Sequence, residues 1–408
     1  MAETAISRPV NETGAVIIGG ANFSGRSEFI RAATGFAASS RFSRLGCRGA
    51  YVGPEVYNSL SALAQTVFQE LRINGRDPND NFLRDIGISD LLSRNPFTLS
   101  GGEQVLVAIA SASANRYDVI GLDCATEQLD TRHRAAVFEY LSAAQSSLTF
   151  VVDNRTTDGE AALFRSARNF QCEIPGRFEI APDQLSEVPV DPVPLRIEDL
   201  WFRYSKEAPW VLKRCSATLE PGRVHVLSGP NGIGKSTFAK LLTGVLKPQR
   251  GKIHVLYRNG RYTDLWQRPG SVVAYHFQNP DLQLFATTVQ DEMRLSLRDT
   301  ECEDLSRFGQ SVVSSFGLSG LLEEHPLDLP FVLRKRVAVA ATVAMARPWL
   351  ILDEPIVSQD QNAALRMSEI VKQLSRDGVG IIIISHSGWF DGLFDAIQLR
   401  ICDGELIV

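Results

Sequence analysis

The six cysteines form no CxxC pair, which excludes a zinc ribbon and a dithiol redox motif. Scattered at positions 47, 124, 172, 215, 302 and 402, they fit free thiols in a reducing cytosol better than a disulfide framework. Long apolar runs are missing too. The stretch 337–352 is broken by Arg347 and Pro348, and the run from Ile381 to Ile384 is too short to span a bilayer. The opening segment MAETAISRPVNETG has no apolar core of the signal-peptide kind. Positive charge is not in excess: 42 Lys and Arg against 47 Asp and Glu give a net charge of −5, so no broad nucleic-acid footprint is expected. No long heptads suggest a coiled coil. With no span and no amphipathic anchor in view, a membrane role would have to come through separate proteins.

The chain has 408 residues, 44% apolar and 22% charged. That is ordinary globular composition and enough length for two or three cores without disulfides. An internal repeat decides between these counts. VIIGGANFSGRSEFIRAATG (16–35) aligns with HVLSGPNGIGKSTFAKLLTG (225–244), and LSGGEQVLVAIASA (99–112) with LPFVLRKRVAVAAT (329–342). GLDCATEQLD (121–130) matches ILDEPIVSQD (351–360), and FVVDN (150–154) matches IIISH (382–386). The expected organisation is one domain over 1–174, a proline-rich, extended linker over 175–194, and a second domain over 195–408. The first copy is shorter by about 21 residues between its glycine loop and LSGG, a tolerated kind of loop change. It also lacks a counterpart of the strand pair LRIEDLWFRY and WVLKRCSATLE. Apolar runs that lead into a glycine turn and a helix, followed by strands ending in acids or histidine, predict an α/β domain with a mainly parallel sheet.

The second copy carries phosphate chemistry. GPNGIGKST (229–237) fits G-x-x-x-x-G-K-[ST] between an apolar strand and a helix. Its glycines let backbone N–H groups wrap phosphate oxygens, and the helix N-terminus favours the anion. Gly229, Pro230, Asn231, Gly232, Gly234, Lys235, Ser236 and Thr237 are therefore candidate ATP-binding residues. Lys235 would reach the β- and γ-phosphates, and Ser236 would ligate Mg²⁺. WLILDEP (349–355) supplies Asp353 for Mg²⁺ and Glu354 to orient or deprotonate the attacking water. His386, ending the run IIIISH, stands where a γ-phosphate sensor is needed. Each has a plainer reading: a tight turn, a pair of solvated acids, a structural histidine.

With these motifs and LSGGE (99–103), the sequence resembles the ABC ATPases over nearly its whole length. The resemblance implies two tandem P-loop NTPase domains, each with a helical subdomain, and ATP and Mg²⁺ as cofactors. It makes Ser100, Gly101 and Gly102 signature residues that bind ATP. Gln278 becomes a catalytic loop glutamine that also touches the metal. Tyr204 becomes the aromatic that stacks on adenine, with a core tyrosine on a strand as the alternative. The stretch YHFQNPDLQLFATTVQDEM (275–293) is similar to ATPases of energy-coupling factor transporters, which import vitamins and metal ions.

The family packs two domains head to tail, and the departures here are asymmetric. In the first copy Arg26 replaces lysine, Cys124 glutamate and Asn154 histidine, and no loop glutamine is evident near GPEV (53–56). In the second, LPFVL (329–333) replaces the signature. The resemblance thus implies one competent site, formed from the second P-loop and the first LSGGE. Cys124 has no nearby base and reads as an inert replacement. The expected function is ATP hydrolysis energising solute transport through separate transmembrane subunits, reached by the helical segments after Gln278 and Gly53. The chain would then be cytoplasmic and peripheral on the inner face of the cell membrane, with no nucleic-acid partner. The alternative is a soluble ABC ATPase that remodels a nucleic-acid or ribosomal complex.

Overall fold

The apolar runs ahead of the glycine loops and the acids all become central strands, and both halves of the chain order them alike. The computed structural model describes residues 14–19, 26–36, 48–73, 80–114, 117–143, 148–155, 166–169, 185–297 and 303–408. The chain divides into two compact units, Met1–Pro175 and Gly176–Val408. In the first, β1 (Gly14–Gly19), β2 (Gly49–Val52), β3 (Val119–Asp123), β4 (Leu148–Val152) and β5 (Ser166–Asn169) form a parallel sheet in the order β2-β3-β4-β1-β5.

The second unit opens with β6 (Leu195–Phe202) and β7 (Leu212–Leu219), followed by β8 (Val224–Ser228), β9 (Arg250–Leu256), β10 (Tyr262–Asp264) and β11 (Val273–His276). Its remaining strands are β12 (Trp349–Asp353), β13 (Gly380–Ile384), β14 (Ile397–Cys402) and β15 (Glu405–Ile407). The main sheet runs β11-β12-β13-β8-β14-β15. Its first five positions repeat the order of the first unit, and β15 returns antiparallel on β14. β3, β4, β12 and β13 are buried at every residue, as expected of parallel strands covered on both faces.

The fold is thus the tandem α/β architecture that the repeat predicts. The strand pair β6 and β7 forms, and joins β9 and β10 in an antiparallel sheet ordered β10-β9-β6-β7. Among the described residues the first unit has no such sheet. Each unit also carries a helical layer: Val67–Leu71, Asp80–Asp85 and Gly101–Ala114 in the first, Val289–Ser296, Glu303–Ser315 and Phe331–Ala344 in the second. The repeat extends to the caps. Thr66 and Thr288 each accept a backbone N–H at a helix start, which satisfies a donor the helix leaves open.

Residues 185–194 lie in the second unit and pack on it. Leu185, Val188 and Val193 are buried. The Gln373 side chain pairs with both backbone groups of Leu185, and Trp349 Nε1 donates to Val193 O at 2.8 Å. The earlier part of the predicted linker, 175–184, lies outside the described residues. So do the first copy's glycine-loop residues 20–25, the opening segment, and Cys47, Cys172 and Cys302. Among the described residues no helix is long and apolar enough to cross a membrane.

Candidate active site

The parallel order of β11, β12, β13 and β8 brings four chain segments to one sheet edge, at the strands' C-terminal ends. There the loop after β8 leads into the helix Lys235–Leu242. Gly232 (φ 78°) and Gly234 (φ 112°) hold left-handed backbone that a side chain would strain. A Cβ on Gly234 would also lie 2.8 Å from Val211 Cγ1. Lys235 is buried, and its Nζ donates to the carbonyls of Gly229 (2.6 Å) and Pro230 (3.0 Å), so the ammonium sits inside the loop. Asn231 is half-buried in the same loop, and Ser236 is exposed at the helix start. Thr237 is buried, and its hydroxyl pairs with Tyr204 Oη at 2.9 Å. Tyr204 lies just past β6, is 62% exposed and touches Phe202 edge-on. The core-tyrosine alternative therefore fails, and its ring stands beside the phosphate loop with a face open to solvent.

β12 delivers the acids. Asp353 ends the strand, buried, and accepts from the Tyr275 hydroxyl at 2.8 Å. Burial, aided by the charge of Glu354, pushes the Asp353 carboxyl up to about 6, against the Tyr275 hydrogen bond and the charges of Lys335 and Lys235. Burial and Asp353 together hold the Tyr275 hydroxyl far above its usual range, so it stays a donor. Glu354 turns into left-handed backbone (φ 50°) and is fixed by its N–H to Ile384 O at 2.8 Å. This aims its buried side chain toward His386, whose Nε2 is 3.9 Å from Glu354 Oε1.

Gln278 lies two residues beyond β11 on a loop stapled to the helix Phe331–Ala344. Lys335 Nζ donates to the Gln278 carbonyl at 2.9 Å. Gln283 accepts from Phe277 N and donates to Ala338 O, and Arg334 grips both oxygens of Asp281 at 2.9 and 3.0 Å. The same helix begins with Pro330 and buried Phe331, without a side-chain cap. The helix that lost its signature thus keeps the work of holding the Gln278 loop. Sequence reasoning missed both Tyr275 and Lys335. For Tyr275 a signal existed, because the repeat places Tyr51 at the matching strand position.

The first unit shows the same positions rewired. Arg26 is buried and its Nη2 donates to Asn154 Oδ1 at 2.9 Å. Asn154 Nδ2 lies 3.7 Å from the Cys124 sulfur. Cys124 keeps the left-handed turn of Glu354 (φ 53°), and burial, then the charge of Glu127, push its thiol well up. This is an inert thiol. Ser27 donates to Asp123 Oδ1 at 2.9 Å. Ser100, Gly101 and Gly102 open the helix Gly101–Ala114. The Glu103 carboxylate accepts the Ser100 N–H at 2.8 Å and the Ser100 hydroxyl at 2.7 Å, and the Glu103 N–H donates back to Ser100 Oγ at 3.4 Å, the reciprocal pattern of a capping box.

The donor set suits Mg²⁺. Among the described residues no group of three or more His, Cys, Asp or Glu forms a metal cage. One buried carboxylate and one serine hydroxyl beside a phosphate loop are the few hard oxygen ligands that Mg²⁺ takes from protein, its other ligands being phosphates and water. Bound there, the ion would neutralise charge on the phosphates. Ser236 and Asp353 would hold it. With nucleotide bound, Glu354 would polarise a water and Lys235 would balance phosphate charge.

Known proteins bear on this arrangement. The ABC transporter family model matches residues 212–357. The energy-coupling factor transporter ATP-binding protein EcfA of Methanothermobacter thermautotrophicus is 33% identical over 223 residues, 52% of this chain and 69% of that protein. A relative from Methanosarcina mazei is 29% identical over 326 residues, 74% of this chain and 64% of its own, so the chain spans less than two thirds of it. The archaeal ribosome recycling factor aABCE1, in complex with ribosomal stalk protein aP1, superposes with a TM-score of 0.61 over 97% of this chain and 85% of its own, at 18% identity. That likeness concerns the fold alone. The coverage of EcfA together with the phosphate-loop geometry identifies the family: this chain belongs to the ABC transporter ATPases.

Proposed function

We propose that the chain hydrolyses Mg²⁺-ATP at the second unit's sheet edge, and that this turnover energises transport of a small solute through separate membrane subunits. One observation carries the hydrolytic part. Lys235 on the loop and helix after β8, Asp353 and Glu354 at the end of β12, and His386 just past β13 gather beyond adjoining strands, whereas the matching Arg26 and Cys124 each meet Asn154. The first unit nevertheless keeps LSGGE. Losses confined to one set of parts favour a single working site whose turnover needs the first unit's signature residues. Tyr204 then offers its open ring to adenine.

The transport part draws on relatives named as energy-coupling factor subunits and on the surface beside Gln278. Leu282 (71% exposed) and Phe285 (76% exposed) stand out from the stapled loop, and buried Glu292 holds its end by accepting from Phe285 N and Ala286 N. Apolar side chains on a rigid loop fit a docked helix of a membrane subunit. The test is affinity purification of the tagged chain from detergent-solubilised membranes and, separately, sedimentation of lysate with ATP. Recovery of integral membrane proteins whose yield falls in Phe285→Ser supports the reading. Co-sedimentation with ribosomes, with no membrane protein recovered, would replace it with the remodelling alternative.

A further inference from the structure

Both units tie the acid that ends the central strand to a tyrosine on the neighbouring strand. Tyr275 Oη donates to Asp353 Oδ2 at 2.8 Å, and Tyr51 Oη donates to Asp123 Oδ2 at 2.8 Å. The registers agree as well. Tyr275 sits opposite Ile351 and Tyr51 opposite Gly121, each two residues before the acid. Residues two apart on a strand share a face, so each ring reaches forward along the sheet to the carboxylate. In the first unit the acid's other oxygen, Oδ1, accepts from Ser27, the residue aligned with Ser236. One oxygen is thus given to the tyrosine and the other to the serine that opens the phosphate-loop helix. This trio persists in the first unit, although the lysine, glutamate and histidine are replaced there.

We propose that Tyr275 is a positioning residue for the Mg²⁺ site: it holds Asp353 Oδ2, fixes the plane of the carboxylate and leaves the other oxygen for the cation. The inference rests on reading Asp353 and Ser236 as the groups that hold Mg²⁺. It has a physical reason. Mg²⁺ demands near-ideal octahedral geometry and keeps several waters, so a carboxylate free to rotate is a poorer ligand than one held by a hydrogen bond from behind. The tyrosine needs no contact with nucleotide to act. Phe277 packs edge-on against its ring at 4.7 Å, so Tyr275→Phe removes the hydroxyl and keeps the packing.

The experiment uses the full chain as wild type, Tyr275→Phe, Tyr275→Leu and Asp353→Asn, each checked by thermal melting. Binding of N-methylanthraniloyl-ATP is followed in EDTA and across a series of free Mg²⁺ concentrations, with ATPase rates over the same series. Tyr275→Phe should bind the nucleotide in EDTA as wild type does. It should need about ten-fold more Mg²⁺ for half-maximal binding and turnover, and recover most turnover at saturating Mg²⁺. Tyr275→Leu should show the same Mg²⁺ shift. A wild-type Mg²⁺ requirement in both tyrosine variants, with Asp353→Asn shifted, overturns the positioning role and spares the reading of Asp353. Equal weakening of binding in EDTA makes Tyr275 a packing residue and overturns it too. An unshifted Asp353→Asn removes the metal assignment itself, and the proposal with it.

Discussion

Replacing Glu354 by glutamine separates chemistry from binding. The side chain is buried and lies 3.9 Å from His386 Nε2, while its backbone is pinned by the Ile384 carbonyl. Glutamine has the same length and branching, so the left-handed turn and the strand end should survive. The melting temperature is expected to stay close to wild type. If Glu354 is the general base, the change removes the negative oxygen that accepts a proton from water. General-base contributions of ~10²–10⁴ predict a kcat lowered at least a hundredfold, which corresponds to about 3 kcal/mol or more of barrier. Nucleotide affinity should change little, because Lys235, the loop amides and Ser236 are untouched. The first unit offers a built-in comparison. Cys124 occupies the same turn with φ 53°, so the backbone conformation alone does not make a base. Steady-state ATPase rates beside equilibrium binding of a fluorescent ATP analogue decide the matter. A variant that keeps more than a tenth of wild-type kcat with unchanged affinity would refute Glu354 as the base.

Three further outcomes are expected. Ser100→Arg should abolish most ATPase activity. Ser100→Ala, which loses the same Glu103 cap at a stability cost of about 1 kcal/mol, should keep far more of it, and Pro330→Arg in the degenerate signature should be nearly silent; normal turnover in Ser100→Arg would detach LSGGE from the working site. Burial alone would raise the Asp153 carboxyl, but the charge and hydrogen bonds of Arg134 outweigh it and hold the carboxyl below its usual range. The stability from this pair is therefore present above the unfolded pKa of about 4 and lost as pH falls through the lower folded value. Asp153→Ala removes the buried carboxylate that pairs with Arg134 and should cost about 3 kcal/mol. Thermal melts followed by circular dichroism check this, with a lowered midpoint expected; an unchanged midpoint would contradict it. Trp349→Phe removes the bond to Val193 O at a cost of about 1 kcal/mol, and a glutamyl endopeptidase should then cut after exposed Glu187 faster than in wild type; an unchanged digestion rate would mean that the strap is held elsewhere.

Much of this molecule was legible from local pattern. Glycines at 232 and 234 are read from sequence because positive φ is a property of single residues. The strand ahead of the loop and the acids ending WLILD are read from short apolar runs whose burial shows in the runs themselves. The repeat then extended the second unit's fold to the first, and it exposed Arg26, Cys124 and Asn154 as replacements. Partnership was a different matter. Arg26 finds Asn154 across 128 residues of chain, and Tyr275 finds Asp353 across 78. Such pairs depend on which strands lie side by side and in which register, and apolar periodicity reports only that a strand is buried. The seating of residues 185–194 on Trp349 and Gln373 escaped for a related reason. Proline-rich composition fixes how stiff a segment is, whereas the surface it lies on is set by the packing of β12 and the helix Gln361–Arg376 beneath it. Local stereochemistry thus made the phosphate loop visible in the sequence, and only the order of the strands decided what stands around it.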